Sequence, residues 1–122
     1  MCALKAVPLS AKERRAVDEF VARICKQYGR AIQLIRLFGS KARGSSDAES
    51  DVDLLVVVDR RDRQLWDGIV ALETELMLKY DIVISSLIMD YQEYRWHQEH
   101  HAPLYRRIER EGVSLWMSTP AF

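Results

Sequence analysis

The 122-residue sequence has no excess charge of either sign, because 18 lysines and arginines balance 18 aspartates and glutamates. A protein whose main role is to coat nucleic acid or an anionic membrane needs a large positive field, so this balance argues against both classes. It leaves room for a local basic patch. Cys2 and Cys25 are the only cysteines, and two cysteines without a neighbouring Cys/His cluster indicate neither a disulfide framework nor a structural zinc site.

Long apolar runs, repeats and linkers are missing as well. Nowhere do about 18 apolar residues follow one another, and the first residues do not have the apolar run of a signal peptide. We therefore expect a cytoplasmic protein without a membrane partner. Since 48% of the residues are hydrophobic, the chain can form one core, and we expect residues 1–122 to be a single domain.

Hydrophobic periodicity predicts helices and strands in alternation. The first helix covers Ser10–Tyr28, with Ser10 and Glu13 as a capping box at its start and Gly29 at its end. The other expected elements are strands at 31–38, 51–58, 81–89 and 113–116 and helices at 62–80 and 90–111, the last divided at Pro103. This order predicts an α/β (α+β) fold with one sheet of three to four strands flanked by helices.

Two aspartates begin the strand that is expected to be buried on both faces. Asp51 and Asp53 follow a Gly39-Ser40 turn by ten residues. Positions i and i+2 of a strand point to the same face, so the two carboxylates lie side by side and repel each other unless a cation joins them. Mg²⁺ shares its site between carboxylates, water and substrate phosphates. The pair therefore predicts a magnesium site.

The turn before this strand has the residues of a phosphate site. Gly39 allows close approach to the backbone, while Ser40 and the N–H groups of a short helix can bind a phosphate. Lys41 and Arg43 add positive charge nearby. Each feature alone has an ordinary explanation as a turn or as surface charge. Their combination in this order indicates binding of a nucleotide phosphate.

The segment GSKARGSSDAESDVDLLVVV resembles the nucleotidyltransferase motif of the DNA polymerase β superfamily: Gly-Ser, ten residues, then Asp-x-Asp. The size of the chain is similar to that of minimal nucleotidyltransferase (MNT) domains, of which the MntA-like antitoxins are one group. This resemblance implies the nucleotidyltransferase fold with a mixed sheet. It also implies a third carboxylate on a later strand, which Asp81 matches by position. Asp90 is a weaker alternative, because capping of the next helix explains it.

The same resemblance implies an activity. Asp51, Asp53 and Asp81 would bind two Mg²⁺ or Mn²⁺ ions, while a hydroxyl attacks the α-phosphate of ATP and pyrophosphate leaves. The implied partner is a HEPN RNase toxin that receives AMP on a tyrosine within a hetero-oligomer. Two alternatives remain open: a non-catalytic antitoxin that binds the toxin through its aromatic C-terminal region, and a small-molecule transferase of the kind that inactivates antibiotics.

Overall fold

Residues 9–43 and 51–117 are described by the computed structural model of the chain. Five helices and four strands follow one another in these two ranges, with a 3₁₀ turn before the first strand. The elements are α1 Ala11–Tyr28, the turn Gly29–Ala31, β1 Ile32–Phe38, α2 Gly39–Arg43, β2 Val52–Val58, α3 Arg63–Tyr80, β3 Ile84–Asp90, α4 Tyr91–Glu99, α5 Pro103–Glu111 and β4 Val113–Met117.

The four strands form one mixed sheet in the order β3-β2-β1-β4. Strand β2 pairs antiparallel with β1 and parallel with β3, while β4 pairs antiparallel with the other side of β1. Parallel neighbours need a long crossover, and α3 provides it between β2 and β3. The prediction of a mixed sheet with helices on its faces is therefore confirmed.

Helices cover both faces of this sheet. The larger hydrophobic cluster lies against α1 and α3, and a smaller one lies beneath α4 and α5. Along β2, Leu54 and Val56 belong to the first cluster and Leu55 and Val57 to the second, and all four are fully buried. The prediction of a central strand covered on both sides is thus confirmed.

Local signals in the sequence place the helix starts correctly. Ser10 caps α1, and its hydroxyl accepts a hydrogen bond from the Glu13 N–H while the Glu13 carboxylate accepts one from the Ser10 N–H. Asp62 caps α3, and Pro103 opens α5 in the first turn. None of the helices in the described ranges has the length and apolarity needed to cross a membrane.

The third strand begins three residues later than predicted. Asp81 adopts a left-handed conformation (φ 54°) as the C-cap of α3, and its N–H donates to the Met77 carbonyl. The chain needs these residues to leave the helix before it can pair with β2. The strand also continues to Asp90, whose carboxylate accepts a hydrogen bond from the Glu93 N–H at 2.7 Å and so caps α4. This confirms the capping explanation of Asp90.

The N-cap of α3 generates a stability prediction. We expect Asp62→Ala to lower the free energy of unfolding by about 1 kcal/mol, because its carboxylate satisfies the N–H groups of Gln64 and Leu65. Urea denaturation measures the change. The matched control is Asp67→Ala on the same helix, where only an exposed ion pair with Arg63 is lost. Equal losses in the two variants would contradict the capping role.

Candidate active site

Asp53 is the second residue of β2, and Asp51 comes immediately before the strand. Val52 between them is fully buried against the α1 and α3 layer, so alternation along the strand directs Asp53 to the opposite face, and continued alternation would direct Asp51 the same way. Asp51 is exposed and Asp53 is half-buried. Both aspartates therefore lie at the start of β2, at an end of the sheet that solvent reaches, and their pairing around a metal ion stays a prediction.

Gly39 packs directly against the Asp53 carboxylate. Phe38, the last residue of β1, is the ladder partner of Asp53, and the chain turns at Gly39 with φ +78°. A Cβ at Gly39 would overlap Oδ2 of Asp53 and lie 3.1 Å from its Cγ. Glycine is thus required here twice, for its left-handed backbone and for the space that its missing side chain leaves to the carboxylate.

The segment after Gly39 forms the single turn of α2. The side chains of Ser40 and Arg43, predicted as phosphate ligands, and the whole of residues 44–50 lie outside the described residues. The backbone of Ser40 and Arg43 belongs to α2. This places the Gly-Ser turn next to Asp53, as the sequence motif requires.

Lys41, predicted from the sequence as a phosphate ligand, points into the protein. Its Nζ lies 2.7 Å from Oε2 of Glu13 on α1, and the two side chains are only 3% and 7% exposed. The ammonium group is therefore held by α1 and is not presented to solvent. Sequence reasoning identified Glu13 as half of a capping box, which explains only one of its two carboxylate oxygens. It did not reveal that Lys41 pairs with the second oxygen.

Glu13 remains ionised although it is buried. Burial alone would raise its pKa, but the hydrogen bond from Lys41, together with those from Ser10, outweighs this effect and holds the pKa below its ordinary value. The carboxylate thus accepts bonds from two elements at once, the N-cap of α1 and the side chain of Lys41.

Asp81 lies at the same end of the sheet but apart from the aspartate pair. Its side chain is fully exposed, its Oδ2 is 4.0 Å from Lys12 Nζ, and its carbonyl accepts a bond from the same ammonium group. Within residues 9–43 and 51–117, no three Asp, Glu, His or Cys side chains are grouped as metal ligands. The structure therefore does not bring Asp81 together with Asp51 and Asp53, and its role as third carboxylate stays a prediction.

Ser85 of β3 and Val83, the residue just before that strand, lie beside the start of β2. Ser85 is the partner of Asp53, and the Val83 carbonyl accepts a hydrogen bond of 2.9 Å from the Val52 N–H. Ser85 is exposed, and Val83 is 54% exposed although it is apolar. Sequence reasoning missed both residues, because the register of two parallel strands depends on the crossover between them and cannot be deduced from the sequence of either strand.

The donor set fits a magnesium ion that is shared with a substrate. Mg²⁺ in phosphate-transfer sites is usually held by one or two carboxylates, with waters and substrate phosphates completing the octahedron. Asp51 and Asp53 supply two carboxylates at the start of β2, and the Asp53 carboxylate occupies the space that the missing side chain of Gly39 leaves. The residues present thus suit this ion better than a site closed entirely by protein ligands.

The aromatic residues near the C-terminal end divide between the interior and the surface. Tyr94 and Tyr105 pack edge to face at 5.7 Å, and burial raises the pKa of Tyr94 to about 12. Trp96 is 52% exposed and stacks on His100 at 4.2 Å. The region therefore contributes aromatic side chains both to the interior and to the surface.

Comparison with known proteins identifies the family. The family model described as "Nucleotidyltransferase domain" matches residues 17–109, a span that contains the Gly39 turn and both aspartates. The chain belongs to the nucleotidyltransferase family. The resemblance recognised from the Gly-Ser and Asp-x-Asp spacing is thus confirmed.

Relatives from Methanocaldococcus jannaschii extend this assignment. The "Putative protein adenylyltransferase MJ0604" is 35% identical over 104 residues, which cover 85% of this chain and 98% of the relative. A second relative from the same organism, named in the same way as MJ0141, is 45% identical over 56 residues and covers 43% of this chain and 54% of its own length. The first match extends over nearly the whole relative.

Two solved structures share the fold. A toxin–antitoxin structure with AMP-PNP aligns with a TM-score of 0.51 and 22% identity, covering 84% of this chain and 74% of that chain. A mutant of the toxin–antitoxin pair MntA-HpeT aligns with a TM-score of 0.50 and 20% identity over the same shares. At these identities the likeness establishes the nucleotidyltransferase fold.

The contact between Gly39 and Asp53 generates a second prediction. We expect Gly39→Ala to lower the free energy of unfolding by about 1–3 kcal/mol through backbone strain, with a further loss from the overlap with Asp53. Gly29→Ala is the matched control, since Gly29 has φ +50° but no atom within 4 Å of an added Cβ. Urea denaturation compares the two variants.

A third variant isolates the overlap. In an Asp53→Ala background the obstructing carboxylate is gone and only the Cβ of residue 53 remains, 3.3 Å from the added Cβ, so the cost of Gly39→Ala should fall toward that of Gly29→Ala. An unchanged cost in that background would mean that Gly39 serves only the backbone conformation.

Proposed function

We propose that the protein is a magnesium-dependent nucleotidyltransferase that transfers AMP from ATP to a hydroxyl group of a partner protein. The observation that carries this proposal is the carboxylate of Asp53, packed against the bare backbone of Gly39, with the exposed Asp51 two residues earlier at the start of β2. Membership of the nucleotidyltransferase family supports the reaction class. The relative named as a protein adenylyltransferase supports the nucleotide and the kind of acceptor.

The residues of the chain have distinct tasks in this reaction. Asp51 and Asp53 would hold Mg²⁺, which when bound neutralises phosphate charge. Gly39 lets the triphosphate approach the backbone at the start of α2, where Ser40 and its neighbouring N–H groups can donate hydrogen bonds. The oxygen of the acceptor hydroxyl then forms a bond to the α-phosphorus and releases its proton to water, while the bond to the pyrophosphate oxygen breaks and pyrophosphate leaves. No covalent bond to the enzyme is required.

The acceptor is proposed to be a tyrosine of a cognate HEPN toxin. The exposed position of Asp51 at the start of β2 allows a macromolecule to approach the α-phosphate, so the acceptor does not need a pocket of its own. A fold shared with a chain of a toxin–antitoxin structure containing AMP-PNP is consistent with such a partner. On this proposal the protein is an antitoxin that acts by modifying its toxin.

Neutralisation by binding alone is the second candidate. The observation that favours it is the exposed Trp96, stacked on His100 on the outer side of α4, since exposed tryptophan is typical of binding surfaces. In that case the aspartate pair would be dispensable for rescue from the toxin. The two candidates therefore differ in what they require of Asp53.

The decisive test is the intact mass of the HEPN protein after incubation with this protein, ATP and Mg²⁺. We expect one or more added adenylates with the wild type and none with Asp53→Asn, which keeps the shape of the side chain but removes its charge. Asp67→Asn, an exposed aspartate of α3 far from the β2 start in sequence, is the matched control and should transfer normally. A stable complex without any mass change would favour neutralisation by binding, and full transfer by Asp53→Asn would reject the mechanism.

Asp81 is tested in the same assay. We expect Asp81→Asn to retain more transfer than Asp53→Asn, because the Asp81 side chain is fully exposed and lies beside Lys12. Asparagine tolerates the left-handed conformation of this position, so the end of α3 is preserved. A loss as complete as that of Asp53→Asn would establish Asp81 as the third carboxylate that the sequence resemblance implies.

A further inference from the structure

The buried ion pair between Glu13 and Lys41 joins two elements that are distant in the sequence. Glu13 lies in the first turn of α1, and Lys41 lies two residues after Gly39 in α2. Their charged atoms are 2.7 Å apart, and both side chains are almost completely buried. It is the only pair of this kind among the described residues in which both charged side chains are less than one tenth exposed.

Stability alone does not explain such a pair. Removing two charges from water costs several kcal/mol, and an apolar pair of similar volume often stabilises a protein equally well or better. A direct ion pair between buried groups does fix the geometry of the elements that carry it.

The element that needs an anchor is α2. It is a single turn of five residues, and a helix of this length has very little stability of its own. Its first residue, Gly39, lies against the Asp53 carboxylate, so a small rotation of α2 would change the space between the phosphate turn and the aspartate pair. Glu13 is itself fixed, because its other oxygen accepts the Ser10 N–H at 2.8 Å.

We infer that Glu13 and Lys41 are positioning residues, which anchor α2 to the N-terminus of α1 and so hold the Gly39 turn at Asp53. The inference rests on the proposed function for its consequence in catalysis. It assigns Lys41 a task different from direct binding of phosphate. The chain of contacts runs from Ser10 through Glu13 and Lys41 to the start of α2.

The first experiment measures amide hydrogen exchange along residues 39–43. We expect Glu13→Gln and Lys41→Met each to accelerate exchange in α2 by about tenfold or more, because local opening becomes easier. Glu13→Gln keeps a carbonyl oxygen for the Ser10 N–H while it removes the charge. Since both substitutions break the same bond, the double variant should exchange no faster than the faster single variant.

The matched control is another ion pair of α1. Lys79 Nζ lies 2.8 Å from Oε1 of Glu19 and joins α3 to α1. Lys79→Met should leave the exchange of residues 39–43 unchanged. If a single variant fails to fold because it leaves one charge buried without its partner, the double variant, which has no buried charge at this point, still tests the anchor.

The second experiment separates positioning from direct phosphate binding in the adenylate transfer assay. Both single variants should lose kcat by about 10- to 100-fold, the effect of a small misplacement of reacting groups. The KM for ATP should change by less than about threefold in both. A large rise of KM in Lys41→Met without any effect of Glu13→Gln would overturn the inference and make Lys41 a phosphate ligand.

The two experiments distinguish a failure of the proposed function from a failure of the anchoring role of Glu13 and Lys41. A wild-type protein that transfers no adenylate would reject the proposed function, but hydrogen exchange would still test the anchor. Unchanged exchange of α2 in both single variants would reject the anchor, even in a protein that is an active transferase. Lys41→Arg provides the rescue, because it can restore the buried ion pair and should recover protection of α2.

Discussion

The close contact between Gly39 and the Asp53 carboxylate is the constraint on which the rest of the site depends. It joins the end of β1 to the start of β2. It exists only because Gly39, the residue after the ladder partner of Asp53, has no side chain. The antiparallel pairing of these two strands delivers the turn to the aspartate, and a core on both faces of β2 prevents the strand from shifting. The apolar interior thereby holds the polar start of β2 in place.

Much of this arrangement could be predicted from the sequence, because it depends on neighbours in the chain. Ser10 and Glu13 reveal the start of α1 through the reciprocal bonds of a capping box, which needs only four consecutive residues. The alternation of Asp51, Val52 and Asp53 assigns both carboxylates to one face without knowledge of the neighbouring strands. The fixed spacing from Gly39 to Asp51 then identifies the family, which the comparison confirms.

The features that escaped prediction depend on contacts between distant residues. The inward direction of Lys41 follows from the second oxygen of Glu13, 28 residues earlier in the numbering, and a lysine in a polar segment gives no sign of such a partner. The late start of β3 follows from the way α3 ends, with Asp81 in a left-handed conformation. Ser85 comes beside Asp53 only through the register that the α3 crossover sets. Each of these depends on tertiary packing, which overrides local pattern.

The exposure of the site also bears on how specificity can arise. Asp51 and Ser85 face solvent, and Val83 presents an apolar side chain at the same end of the sheet. A solvent-exposed site of this kind can orient a triphosphate through charge and backbone contacts. It has few surrounding side chains that could select a small acceptor. On the proposed function, selection of the acceptor must then come from a surface that docks the partner and delivers its hydroxyl. The buried ion pair between Glu13 and Lys41 suits such a mechanism. It would keep the nucleotide-binding turn fixed while a partner protein binds and dissociates at the solvent-exposed side.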